Sequence, residues 1–430
     1  MYNSSRKYQI EGKVHKPVFY LKHASRVLLL VLVAAVSGGH AQHPASPALT
    51  LQQIDSPARA GSGQPNLYVS ADGLLYLSWI EVVEGKGHAV RFAARKGGIW
   101  SEPRTIIESA DLLVNWADFP SLVALPGGEL VAHWPVKGDP GTHASSIRIS
   151  RSTDGGKTWS KPVIPHSDKS MVEHGFVSMV ALPDGRVAAL WLDGRNKKPD
   201  PHGGHASTGD TNLRYTVVGA GGQASEDMLI DPRVCDCCPT SAALTSEGPV
   251  AVYRDRSEKE LRDISIVRLV KGRWTDPRPV STDGWEIHGC PVNGPSVAAD
   301  GRRVAVAWFT APKEKSRVKI AFSNDAGATF GGPIQVDDAT PAGRVDISML
   351  PDGSALVSWL ERTERGGEIK VRRVKADGSR SAPVTVAESN ALRVTGVPQI
   401  VRAGNEVFFA WTEPGTPSSV RVAVAKIAGR

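Results

Sequence analysis

The chain has no apolar run long enough to cross a bilayer as a helix. The longest, Val27 to about Val36, falls well short of the ~20 residues a spanning helix needs. It follows a basic stretch holding Arg6, Lys7, Lys13, Lys16, Lys22 and Arg26, and it leads into small residues around Gly39-His40-Ala41. That order is the layout of a secretory signal peptide, with cleavage expected before Gln42. No cysteine lies near the cleavage point, which argues against a lipid anchor. The mature protein is expected in the periplasm or outside the cell, off the membrane, as a monomer.

Net charge is the second thing in short supply. Residues 1–41 hold six of the 51 basic and one of the 44 acidic residues, which leaves 45 against 43, net +2. The basic balance belongs to the targeting peptide, so it gives no argument for a nucleic-acid partner. Cysteine is scarce too, with four in 430 residues.

What is present is a repeat. An apolar strand, a tight turn rich in Gly, Asp and Pro, and a second strand ending in an aromatic residue recur seven times. The aromatic positions are Trp79, Trp134, Trp191, Tyr253, Trp308, Trp359 and Trp411, spaced 51 to 62 residues apart. Two apolar runs joined by such turns read as hairpins. A third alternating strand follows each hairpin, as in Ile147–Ser152, Val318–Ser323 and Val420–Ala425. Short fourth strands follow, as in Pro333–Val336 and Pro383–Ala387. The fold expected is an all-β propeller of seven four-stranded blades in one domain spanning 42–430, with six blades as the alternative. The seventh unit stops after its third strand, while an orphan segment, Ala48–Gln52, precedes the first unit. Pairing of the two would close the ring and remove the exposed edges at its seam.

Two units carry a fuller motif after the third strand: Ser152-Thr-Asp154-Gly-Gly156-Lys-Thr158-Trp159 and Ser323-Asn-Asp325-Ala-Gly327-Ala-Thr329-Phe330. Weaker versions end at Trp100 and Trp274. This resembles the Asp-box, or BNR repeat, of the sialidase-like propellers, where it is structural. More closely, the chain looks like bacterial exported proteins labelled exo-alpha-sialidase. The stretches that carry this likeness are Glu173–Phe176, Trp191–Arg195, Cys235–Cys238, Tyr253–Ser257 and Cys290–Pro295. The resemblance implies a propeller and glycoside hydrolase ancestry. Departures are equally visible: seven units rather than six, no Arg-Ile-Pro opening, and no Tyr in a late-blade loop for a nucleophile. The mature chain has only Tyr68, Tyr76, Tyr215 and Tyr253.

Candidate chemistry gathers in the loops that enter first strands and leave second strands, which share one face of a propeller. Glu173, Asp193, Asp255, Glu260 and Asp346 are candidate carboxylates for glycosidic chemistry, with Glu173, Asp193 or Asp255 expected to handle protons. Arg195, Arg254, Arg256, Arg262 and Arg344 are candidate anion ligands, because guanidinium forks match carboxylates. The acids of the same loops are their competing partners. Cys235, Cys237, Cys238 and Cys290 admit two readings. An exported protein with four cysteines invites two disulfides, but any pairing that uses Cys290 leaves a very short, strained second bridge. The other reading is a soft site for copper or zinc, with His288 or His174 as further ligands. His202 and His205 lie in a Pro/Gly-rich loop and read as solvent-exposed. The functions that follow are recognition, with or without cleavage, of a glycan or other small anion; a metal-binding or redox-linked module; or a non-catalytic interaction platform.

Overall fold

A computed structural model describes residues 49–139, 144–198 and 209–427. The expected signal peptide and the His202/His205 pair lie outside the described residues. The described chain is a seven-bladed β-propeller, as the repeat count requires. Blade 3 shows the plan: His174–Ala181, Val187–Asp193, Thr211–Val218 and Met228–Val234 pair in sequence order, all antiparallel. Blade 7 combines Gln399–Ala403, Glu406–Glu413 and Ser419–Lys426 with the N-terminal strand Thr50–Ile54. Thr50 pairs with Lys426 and Ile54 with Val422, so the ring is closed by the segment that the sequence left orphaned.

The second strand of each blade is covered on both faces, so it reads as a continuous apolar run rather than an alternating one. Val187–Asp193 is buried at every position. The aromatic near its end lies in the seam with the preceding blade. Trp191 packs on blade 2, Tyr253 on blade 3, Trp308 on blade 4, Trp359 on blade 5 and Trp411 on blade 6. Trp134 packs on blade 1, and Trp79 closes the circle against Phe408 and Ala410 of blade 7. The core is therefore seven seams rather than one centre. Each buried aromatic contributes on the order of 2–3 kcal/mol through apolar burial.

A buried indole N–H needs an acceptor. Trp79 donates to Glu81 at 3.1 Å, Trp191 to Asp193 at 2.9 Å and Trp359 to Glu361 at 2.7 Å. The acceptor stands two residues after the indole in each case. This repeated device places Asp193 among structural groups.

The two Ser-x-Asp-x-Gly-x-Thr turns share one bonding pattern. Asp154 Oδ1 accepts from the Thr158 N–H at 2.9 Å while Thr158 Oγ1 donates to Oδ2 at 2.6 Å. Asp325 and Thr329 repeat both bonds. Gly156 has φ +82°, and a Cβ there would stand 2.2 Å from Phe92 Cζ, so the turn demands glycine twice over.

Blade 2 departs from the plan. Among the described residues its sheet has three strands, Ser121–Ala124, Leu130–Lys137 and Ser145–Ser152. The chain then touches the sheet at one isolated bridge, Ile149 to Val163. Pro162 and Pro165 flank that contact. Proline supplies no N–H to a ladder, so the segment runs on without forming a fourth strand.

Candidate functional site

The cation candidates are largely engaged within the fold. Arg195 forks Asp193 through Nε and Nη2 at 2.8 and 2.7 Å, and reaches Asp227 at 3.1 and 3.2 Å. Arg256 and Arg262 share the Glu260 carboxylate at 2.6 and 2.7 Å. Arg254 is buried and donates to carbonyls: Asn293 O at 3.0 Å from Nε, Arg262 O at 2.6 Å and Phe309 O at 2.7 Å. Its guanidinium lies 4.8 Å from the Trp285 ring centre. Arg344 donates to Leu392 O and Gly396 O and stacks over Trp116. Burial, with Arg362 and Arg393 nearby, lowers its pKa to about 10. The expected convergence of these arginines on one external anion does not occur, because carboxylates of their own blades and carbonyls of adjoining loops lie at shorter range.

The acid candidates are spread out. Burial pushes Asp193 up, but the Arg195, His174 and Trp191 contacts outweigh it and leave the carboxyl below its usual range. Glu173 is raised by burial. Asp255 is raised by burial and by Asp231, and it accepts from Ser265 Oγ at 2.8 Å. The candidate Asp346, together with Asp118, which sequence reasoning did not single out, lines the axial cavity of about 280 Å³ that the inner strands of all seven blades enclose. Burial raises Asp118 to about 7 and Asp346 to about 6. Both are staples between blades: Asp118 accepts from the Phe176 N–H at 2.8 Å, and Asp346 from the Ile400 N–H at 2.8 Å.

The thiols do converge. Cys235 Sγ lies 3.4 Å from Cys238 Sγ and 3.9 Å from Cys237 Sγ, and Cys290 Sγ is 3.6 Å from Asp236 Oδ1. All four are free, at separations too long for a disulfide. Neither histidine nominated as a further ligand joins them. His288 is exposed beside Glu286, and His174 is buried beside Asp168 and Asp193.

A separate cavity of about 450 Å³ opens on the loop face between blades 2 and 3, beside the strand that blade 2 lacks. Ser146 and Arg148, on one face of the third strand, line it with His166, Lys169 and Lys137. His166 Nδ1 donates to the Asp168 carbonyl at 2.7 Å, which leaves Nε2 to accept from Ser146 Oγ at 2.9 Å. Its ring stacks on His174 at 3.9 Å. Burial first, then His174, lowers the His166 pKa to about 4, so it is neutral at physiological pH. Arg148 Nη1 donates to Ser146 Oγ at 2.6 Å and to Ile147 O at 3.0 Å. Among the described residues no carboxylate lies within ion-pairing distance of Arg148, and burial lowers its pKa. None of Arg148, Ser146 or His166 stood out in the sequence. The available signal was the pair of prolines where other units have a fourth strand.

No family model matches the sequence. No curated protein matches it either. Solved structures do. One is a PL25 ulvan lyase bound to -[GlcA(1-4)Rha3S]-, with a TM-score of 0.56 at 10% identity over 88% of this chain and 97% of that one. The same lyase described without that ligand gives 0.55 at 11% identity, again over 88% and 97%. A point mutant of the NanB sialidase from Streptococcus pneumoniae gives 0.46 at 11% identity over 88% and 94%. At such identities the likeness is one of fold.

Proposed function

We propose that this chain is an exported propeller that recognises an anionic glycan in the cavity between blades 2 and 3. The observation that carries the reading is Arg148: a partly buried guanidinium with no carboxylate partner among the described residues, lining a cavity of about 450 Å³. An unpaired buried cation is costly, and an anionic ligand removes that cost. The volume lies in the usual range for small-ligand sites. Lys137 and Lys169 add positive charge at the rim, while Ser146 and His166 offer polar contacts to hydroxyls. The lyase of similar fold is named for ulvan and bound to a chain of GlcA and Rha3S, a carboxylate and a sulfate sugar, which supports an acidic glycan as the ligand class. The proposed role is recognition, since Asp193 is held by Trp191 and Arg195. Export rests on the signal-peptide layout of residues 1–41.

The test is a binding screen of the mature protein against uronic, sulfated, sialylated and neutral oligosaccharides. Selective binding of acidic members, weakening as salt rises, is the expected result. Binding of neutral glycans alone, or of none, defeats the reading.

A further inference from the structure

The cysteines come from two loops that open adjacent blades. Cys235, Cys237 and Cys238 precede the first strand of blade 4, Ser241–Thr245, and Cys290 precedes that of blade 5, Ser296–Asp300. The Sγ atoms of the first three all lie within 4.8 Å of one another, and those of Cys237 and Cys290 lie within 4.8 Å of each other and of an Asp236 oxygen. A disulfide would need about 2.05 Å. Sulfurs around one tetrahedral ion with metal–sulfur bonds of about 2.3 Å stand about 3.8 Å apart. The 3.4 and 3.9 Å separations found here bracket that edge.

The surroundings agree with an anionic centre. Arg262 Nη1 donates to Cys235 Sγ at 3.3 Å. Arg254, buried next to it, has carbonyls for partners and no carboxylate among the described residues. A buried cation without a counter-charge is expensive, and a thiolate cluster around a metal carries the negative charge that offsets it. Burial is graded across the cluster: Cys235 and Cys238 are buried, Cys237 is half-buried and Cys290 is exposed, which leaves a path in from solvent. Thiolate-rich sites select soft cations.

We propose that Cys235, Cys237, Cys238 and Cys290 form a thiolate site for one thiophilic d¹⁰ cation, Cu(I) or Zn(II). The site shares no residue with the cavity between blades 2 and 3, so either proposal can fail without the other.

The experiment is metal analysis, thiol titration and intact mass of the mature protein purified from the cell envelope without chelators. Titration of the reduced protein with Cu(I) and with Zn(II) follows, for wild type, Cys237→Ser and Cys290→Ser. Circular dichroism checks the fold of each variant. The expected result is about one ion per chain, with the element deciding between copper and zinc, and binding weakened at least roughly tenfold in Cys237→Ser. Folded Cys290→Ser is expected to weaken as well, with glycan binding unchanged in both. A mass showing hydrogens lost to disulfides overturns the proposal. So does a protein with four free thiols that takes up neither ion, or a folded Cys237→Ser that binds as wild type does.

Discussion

Replacing Arg148 by Gln is the most direct probe of the cavity between blades 2 and 3. The guanidinium now spends one nitrogen on Ser146 Oγ and Ile147 O, and among the described residues the rest of the fork has no acceptor. A ligand anion seated there would take a charge-assisted hydrogen bond worth about 1.5–3 kcal/mol. Its loss weakens binding by roughly 10- to 150-fold. The fold should hardly notice. Two hydrogen bonds disappear, but so does a half-buried charge without a counter-ion, and the stability change stays within about 1 kcal/mol. Calorimetric titration with the best acidic oligosaccharide, at two salt concentrations, reads the effect. Arg148→Lys keeps the charge but not the planar fork and should fall between wild type and Arg148→Gln. If Arg148→Gln binds with unchanged affinity and unchanged salt dependence, the cavity is not the glycan site.

Three further outcomes are expected. Gly156→Ala must hold φ +82° with a Cβ 2.2 Å from Phe92 Cζ, so urea unfolding should show a loss of about 2–4 kcal/mol, and an unchanged midpoint would mean that the turn relaxes freely. Removing residues through Ile54 strips blade 7 of its outer strand and bares the edge of Ser419–Lys426, so the melting temperature should fall and light scattering should rise; equal behaviour would deny closure a stabilising role. Burial raises Asp118 to about 7, so the folded chain holds this proton more tightly than the unfolded chain does. Its contribution is therefore fully present below the ordinary carboxylate range and is lost as pH rises through about 7, an effect on the order of 4 kcal/mol. Wild-type stability measured relative to Asp118→Asn should decline between about pH 4 and pH 8, and a flat difference would contradict the assignment.

Much of the architecture was legible because it is local. A strand covered on both faces must be apolar throughout, a buried seam calls for an aromatic, and a tight turn calls for glycine; these demands repeat every 51 to 62 residues and can be counted. The orphan segment before the first unit pointed to closure for the same reason, since a blade short of one strand and a strand short of a blade are both visible in the chain. The missing fourth strand of blade 2 was less visible. Its prolines were there to be read, but three neighbouring strands had to be placed before a cavity appeared.

Which charges meet which was decided by tertiary structure alone. Arg254 finds the carbonyls of Asn293 and Phe309 in the next blade, and Arg195 finds Asp227, 32 residues further on. Such partners depend on the path of loops within a blade and from one blade to the next, and no spacing along the chain encodes that path. The same is true of the thiols. Cys290 lies more than 50 residues after Cys235, and it reaches the cluster because consecutive blades present their entry loops side by side. By itself, the sequence determined a ring of seven hairpin-based blades, since burial and turn chemistry act between near neighbours. Only the folded ring decided which of its charged and sulfur-bearing loops were spent on one another and which, like Arg148, were left facing an open cavity.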